Sequence, residues 1–240
     1  MTPAPPDAGG RLAAHFGRWA WLYDRQLLLE RAALRTGARL AGPLAGRRVV
    51  DLAAGTGALA AALVARGGPP AALVAVDAAP AMLDRARRRL SGVRPAPRLL
   101  VADARAVPLP DGAADLVAIG YLLHLLDPAG RSAVLAEARR LLVPGGRVVA
   151  VVHGTPGGRA GRLYRRGWRA VARLSRGLVV GGGPMPDLPE VLTAAGLRVE
   201  VCRTVPGVYW SAVCVARRPA EAVGARPGAP VSAPGGRRPR

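Results

Sequence analysis

The chain contains no lysine and no asparagine, and only one phenylalanine. All 35 basic residues are therefore arginine, against 15 acids, for a formal net charge of +20. The codon bias of a GC-rich genome explains arginine over lysine but not the shortage of acids. Aromatic residues make up 4% of a chain that is 50% hydrophobic, so the core is expected to be aliphatic, built from Ala, Val and Leu. The two cysteines, Cys202 and Cys214, have no metal-ligand spacing; their apolar surroundings lead to the expectation of reduced core residues in a cytoplasmic protein. The longest apolar run, Ala58 to Ala65, stops at Arg66, far short of the ~18 residues that suggest a spanning helix. Met1 to Gly10 has no apolar h-region of the signal-peptide kind.

A positive balance of this size points to nucleic acid, an anionic membrane surface or an acidic substrate, or else to solubility with basic tails. The composition alone leaves these open. At 240 residues the chain is expected to form one domain with ragged ends.

Residues 1–10 read as disordered, as does the Arg/Pro/Gly-rich tail 218–240, leaving a single domain over 11–217. Residues 11–42 read as a helical cap, with Phe16, Trp19, Leu22 and Tyr23 on one side. Strands and helices then alternate. Strands are expected at 48–53, 72–76, 98–102, 114–120 and 147–153, with helices at 58–66, 80–90 and 128–142, the last stopped by Pro144-Gly145-Gly146. Near-continuous apolar strands separated by helices predict a parallel α/β sheet covered on both faces. Two more strands, 197–205 and 208–216, read as an antiparallel pair across a Pro206-Gly207 turn.

The chemistry-bearing residues gather at the carboxyl ends of the predicted strands, where open α/β sheets bind ligands. Asp51 ends the first strand, and Gly55 and Gly57 follow in a turn that leads into a helix. Those glycines allow a ligand to approach the backbone closely. Asp77 ends the second strand about 20 residues after the turn, the position from which an acid takes ribose hydroxyls. Asp103 with Ala104 ends the third, a combination able to hold an adenine amino group. Gly55-Thr56-Gly57-Ala58-Leu59-Ala60 also fits a loose dinucleotide fingerprint. Electrostatics separates the two readings: a carboxylate immediately before the turn disfavours pyrophosphate and suits a ligand carrying ammonium and sulfonium.

Val49 to Ala60 resembles the first motif of the class I S-adenosylmethionine-dependent methyltransferases. Val74 to Asp77 with Pro80-Ala81-Met82-Leu83, Val101-Ala102-Asp103-Ala104, Leu109-Pro110, Asp115-Leu116-Val117 and Leu141 to Val148 resemble the motifs that follow. The nearest group is type 11, similar to the ubiquinone/menaquinone-biosynthesis C-methyltransferases. The resemblance implies a Rossmann-like, mostly parallel seven-stranded sheet with an antiparallel last strand. It implies S-adenosyl-L-methionine as cofactor and S-adenosyl-L-homocysteine as product. Carried over, Asp51, Ala53, Gly55 and Gly57 hold the methionine moiety, and Asp77, Ala78 and Met82 bracket ribose and adenine. Asp103 and Ala104 meet the adenine, Gly120 and Tyr121 lie near the methyl, and Tyr23 of the cap closes over the cofactor. Where this chain has Ala53-Ala54, the motif usually carries Gly or Cys.

A sulfonium methyl needs little activation, so the protein chiefly aligns the acceptor and excludes water. His124 is the candidate general base, unless it merely packs among Leu122, Leu123, Leu125 and Leu126; His153 is a second candidate. The absence of asparagine, of an Asp/Ser-Pro-Pro-aromatic motif and of a suitably placed cysteine argues against DNA-base methylation. Residues 158–186 read as a lid-like insertion. On a helical wheel Leu163, Tyr164, Trp168, Val171, Leu174 and Leu178 oppose six arginines between Arg162 and Arg176, a pattern suited to an anionic membrane surface or to a solvated basic face. The expected function is methyl transfer to a small, lipophilic acceptor by direct displacement, with no metal. The rivals are a nicotinamide-dependent oxidoreductase, whose Tyr-x-x-x-Lys pair a lysine-free chain lacks, and an RNA-binding or RNA-modifying protein, for which the basic tail offers only nonspecific affinity.

Overall fold

The computed structural model describes residues 29–156, 159, 161, 163, 164, 166, 167, 187–207 and 210–220. Tyr23, most of the basic insertion and both terminal tails lie outside the described residues. Helix α1 covers residues 29–41. It is followed by β1 (Arg48–Leu52), α2 (Ala58–Gly67), β2 (Ala72–Asp77), α3 (Pro80–Arg89), β3 (Arg98–Val101) and β4 (Ala114–Gly120). A 3-10 turn at Leu123–Leu125 leads to α4 (Pro128–Leu141), β5 (Leu142–His153), α5 (Leu188–Ala194), β6 (Arg198–Val205) and β7 (Ser211–Arg217).

The strand order is β3-β2-β1-β4-β5-β7-β6. All pairs are parallel except those of β7, which runs against both β5 and β6. The chain winds outward from β1 in one direction, then resumes beside β1 with β4, so the order reverses between β1 and β4. Crevices form at such a reversal.

Alternation along the strands feeds two cores. Val50, Leu52, Val117, Ile119, Val148 and Ala150 pack under α4 and α5. Val49, Leu116, Ala118, Val149 and Val151 pack under α1, α2 and α3. These central strands are buried on both faces, which is why they read as unbroken apolar runs.

Three expectations are corrected. Pro144-Gly145-Gly146 does not separate α4 from β5: α4 stops at Leu141 and β5 begins at Leu142, running through the glycines. An irregularity absorbs them, since Ala114 pairs with Leu142 but Leu116 with Arg147. Gly145 takes φ 80 there, and its amide donates to the Arg218 carbonyl. The final hairpin is wider than a Pro-Gly turn, with β7 starting at Ser211. Cys202 and Cys214 are not reduced: their sulfurs are bonded at 1.95 Å. Register explains this, because the two residues stand directly opposite each other on β6 and β7 with Cα atoms 4.1 Å apart. Among the described residues, no helix is long and apolar enough to cross a membrane.

Candidate active site

A cavity of about 650 Å3 opens at the carboxyl ends of the strands. Asp51, Ala53, Gly55, Asp77, Ala78, Met82, Asp103, Ala104, Gly120 and Tyr121 all line it. The sequence-predicted residues thus converge, from four strand ends, on one space.

Asp51 is 1% exposed and forms the cavity floor at the end of β1. Neither carboxylate oxygen has a hydrogen-bond partner among the described residues. Burial raises its pKa to about 7; the Ala60 backbone amide, close by but short of hydrogen-bond geometry, opposes the rise and the nearby Asp77 charge adds to it. A buried anion without partners is costly unless something compensates it. A cationic group such as an ammonium would supply that compensation.

The turn after β1 is held in left-handed conformations at Ala53 (φ 52), Gly55 (φ 55) and Gly57 (φ 76). The Ala54 amide donates to the Val76 carbonyl at 2.8 Å, and the Gly57 amide to the Ala54 carbonyl at 2.8 Å. Space around Gly55 is open to a ligand. Gly57 does not line the cavity; a Cβ there would lie 3.2 Å from Ala86 and Leu90, so this glycine lets α2 approach α3. Gly120 does the same for Leu59, whose Cδ2 would be 3.2 Å from an added Cβ.

Asp77 is fastened at the end of β2. Its Oδ2 accepts from the Gly55 amide and its Oδ1 from the Ala79 amide, each at 2.8 Å. Burial raises its pKa, while these two bonds pull the other way. A carboxylate has about four acceptor positions, so each oxygen retains capacity for a ligand hydroxyl. Asp103 meets Arg105, which donates from Nε at 3.0 Å and from Nη2 at 2.5 Å. Arg105 lines the cavity and was not anticipated from the sequence. Glu30 and Asp127 also line it, so the lining is rich in acids within a strongly basic chain. That polarity favours a cation and disfavours phosphate.

A second group of polar side chains lies beyond β4 and β5. Tyr121, at φ 53, places its hydroxyl 2.8 Å from Ser211 Oγ. Its ring meets His153 edge-on at 5.3 Å and His124 edge-on at 6.0 Å. The two imidazoles stack at 4.5 Å, only 5° from parallel. His124 is buried, its Nδ1 has no partner among the described residues, and burial and the His153 charge hold its pKa well below the usual value. It stands outside the cavity lining. Glu30, 2% exposed, reaches within 4.0 Å of His153 Nε2. Its signal in the sequence was an acid on the face of α1 that carries Leu34 and Ala38 into the core.

A family model described as a methyltransferase domain matches residues 49–146. The demethylmenaquinone methyltransferase of Thermus thermophilus is 40% identical over 152 residues, 62% of this chain and 68% of the relative. That of Clavibacter sepedonicus is 36% identical over 165 residues, 66% of this chain and 63% of the relative. A solved O-methyltransferase family protein from Burkholderia thailandensis superposes with a TM-score of 0.67 at 22% identity, over 88% of this chain and 62% of that one. The last likeness is one of fold. The relatives carry methyltransferase names, which favours neither the nicotinamide oxidoreductase nor the RNA-binding rival.

Proposed function

Because the chain belongs to the class I S-adenosylmethionine-dependent methyltransferases, we propose that its cavity seats the cofactor across the ends of β1, β2 and β3 and a lipophilic small-molecule acceptor beyond β4. When bound, S-adenosylmethionine supplies an electrophilic methyl group on a sulfonium and leaves as the neutral thioether S-adenosylhomocysteine. The carrying observation is Asp51, a buried carboxylate at the cavity floor with neither oxygen hydrogen-bonded. It is assigned the ammonium of the methionine moiety, with the backbone of Ala53 and Gly55 beside it. Asp77 takes the ribose hydroxyls. Met82 and Ala104 flank the adenine, and Asp103, steadied by Arg105, faces its amino group. Gly120 and Tyr121 border the transferred methyl, and the cap residue Tyr23 is assigned to the cofactor's open side. His124 and His153 stack on each other and both lie outside the lining, so neither is assigned to the acceptor.

The lipophilic acceptor rests on two observations. Leu122, Leu125, Leu126, Ala129, Ala133 and Val134 form an apolar wall of the cavity. The relatives are named for demethylmenaquinone, a lipophilic quinone. Calorimetry with S-adenosylhomocysteine and with NADH tests the cofactor half. Binding of NADH in preference to the thioether would refute the placement of Asp51. Transfer of labelled methyl to a reduced naphthoquinone tests the acceptor half, and transfer only to water-soluble amines would refute it.

An anionic membrane surface fits the insertion 158–186. Leu163 is 73% exposed, with Arg159 and Arg166 exposed beside it. An exposed leucine beside exposed arginines suits an interfacial helix, through which a lipid-dissolved acceptor enters. Co-sedimentation with anionic but not neutral vesicles is expected; equal, negligible binding to both would remove the membrane from the reading.

A further inference from the structure

A second cavity, of about 780 Å3, lies between α4 and α5. Arg131, Leu135 and Arg139, each four residues apart on α4, line it. Ala129, Ala133 and Val134, on the opposite side of the same helix, line the first cavity. The charge of the two spaces is reversed. Five acids and Arg105 line the first, whereas four arginines and Asp111 line the second among the described residues.

The four arginines are not alike. Arg140 is neutralised: it donates to Glu137, to Asp111 and to the carbonyls of Val107 and Leu109. No hydrogen bond or ion pair engages the guanidinium of its neighbour Arg139 among the described residues. That guanidinium lies beside Gly196, where a Cβ would stand 3.4 Å from Nη1. Arg218 is anchored at the same end of α4. Its amide donates to the Gly146 carbonyl at 2.8 Å, and its own carbonyl accepts from the Gly145 amide at 3.0 Å. Its Nη1 donates to the carbonyls of Arg139 and Leu142. The glycines inside β5 thus fix this arginine beside the cavity. Arg131 stands about 12 Å back along α4, its Nε on the Leu126 carbonyl. Leu135 and Ala136 lie between the two ends, and Val191, Ala194 and Ala195 of α5 complete an apolar strip.

We propose that this cavity is a second ligand site, separate from the cofactor's, and that it takes a small organic phosphate. Arg139 and Arg218 hold the phosphate, and the apolar strip between α4 and α5 takes the carbon body. A guanidinium offers a fork of N–H donors that matches phosphate oxygens. A phosphate monoester carries close to two negative charges. Two arginines at one end of the cavity therefore suit it better than they suit a carboxylate. The volume is that of a small-molecule pocket. A membrane surface or a nucleic-acid duplex is too broad to fill a concave space of this size.

Calorimetry on the full chain tests the site with phenyl phosphate, which joins the anion to an apolar body. Inorganic phosphate carries the charge alone and benzyl alcohol the ring alone. Phenyl phosphate is expected to bind more tightly than either, with or without S-adenosylhomocysteine. Arg139→Gln is expected to weaken it about tenfold, the usual loss of a hydrogen bond to a charged group. This variant gives up no bond to a described residue, so it is expected to fold as the unmodified chain does. Arg88→Gln removes the same charge from the exposed side of α3 and is expected to bind phenyl phosphate as the unmodified chain does. Equal weakening by the two variants would reduce the binding to overall charge and overturn the site. Full affinity in Arg139→Gln, or no binding of phenyl phosphate to the unmodified chain, would overturn it as well. Competition by S-adenosylhomocysteine would place the phosphate in the first cavity. Binding of phosphatidic-acid vesicles or of RNA that depends on Arg139, in place of phenyl phosphate, would replace the small ligand with a macromolecular surface.

Discussion

The Gly55 amide donates to Asp77 Oδ2 at 2.8 Å, fastening the turn after β1 to the end of β2. The bond joins residues 22 apart in sequence and sets the distance between two acids, Asp51 below the turn and Asp77 beside it. Burial raises the charging cost of both, and the Asp77 charge adds to that of Asp51. A ligand that brings positive charge to the Asp51 side relieves the pair.

Asp51 therefore links pH to both stability and binding. Its folded pKa, about 7, lies above the ordinary 3.8. Between those values the folded state binds more protons than the unfolded state, so stability falls as pH rises through the window and levels off above it. Asp51→Asn is expected to be more stable than the unmodified protein by about 2 kcal/mol near pH ~8 and to lose that advantage near pH ~5. Thermal melts at the two pH values check this. S-adenosylhomocysteine affinity of the unmodified protein should rise between pH ~6 and ~8 as the carboxylate forms. That of Asp51→Asn should be flat and at least about tenfold weaker.

Ala53 holds a left-handed backbone, φ 52, at a position where glycine has no steric penalty. Ala53→Gly is expected to stabilise by about 0.5–1 kcal/mol, the left-handed penalty less the extra freedom of glycine in the unfolded chain. The melting temperature should rise by about 1–3 °C. Gly57→Ala should move the other way, by about 2 kcal/mol or more, because φ 76 and the 3.2 Å approach to Ala86 act together.

Tyr121→Phe removes the hydroxyl that meets Ser211 and leaves the ring in place. Denaturant unfolding should show a loss of about 1–2 kcal/mol, since Ser211 is buried. S-adenosylhomocysteine binding should change little. A large loss of cofactor affinity would mean that the hydroxyl faces the cofactor rather than β7.

The Cys202–Cys214 bond predicts that alkylation of the unfolded chain without reductant modifies neither cysteine. Mass spectrometry after reduction should then find both modified. Two labelled thiols before reduction would place the protein in the state first expected from its sequence.

Much of the site was legible because it sits where local patterns change. Asp51, Asp77 and Asp103 each end an apolar run, and the strand ends follow from those runs alone. What stayed hidden depends on register and tertiary contact. Pro144-Gly145-Gly146 reads as a helix stop, yet it is carried inside β5 by pairing to Arg218 and a shift against β4. Nothing in the spacing of Cys202 and Cys214 tells that β6 and β7 align them, because one residue of slippage would put them on opposite faces. Arg105 is one arginine among many until its guanidinium is seen on Asp103. Glu30 had a local signal, an acid on an apolar helix face, but its meaning came only from His153, more than a hundred residues away.

The last of the described strands in chain order, β7, lies inside the sheet, between β5 and the edge strand β6. Until residue 217 has left the ribosome, β5 has an open flank and β6 has no neighbour to pair with. Ser211 therefore reaches Tyr121 only after β7 has emerged, whereas the cavity lining, from Glu30 to Val134, is synthesised well before it.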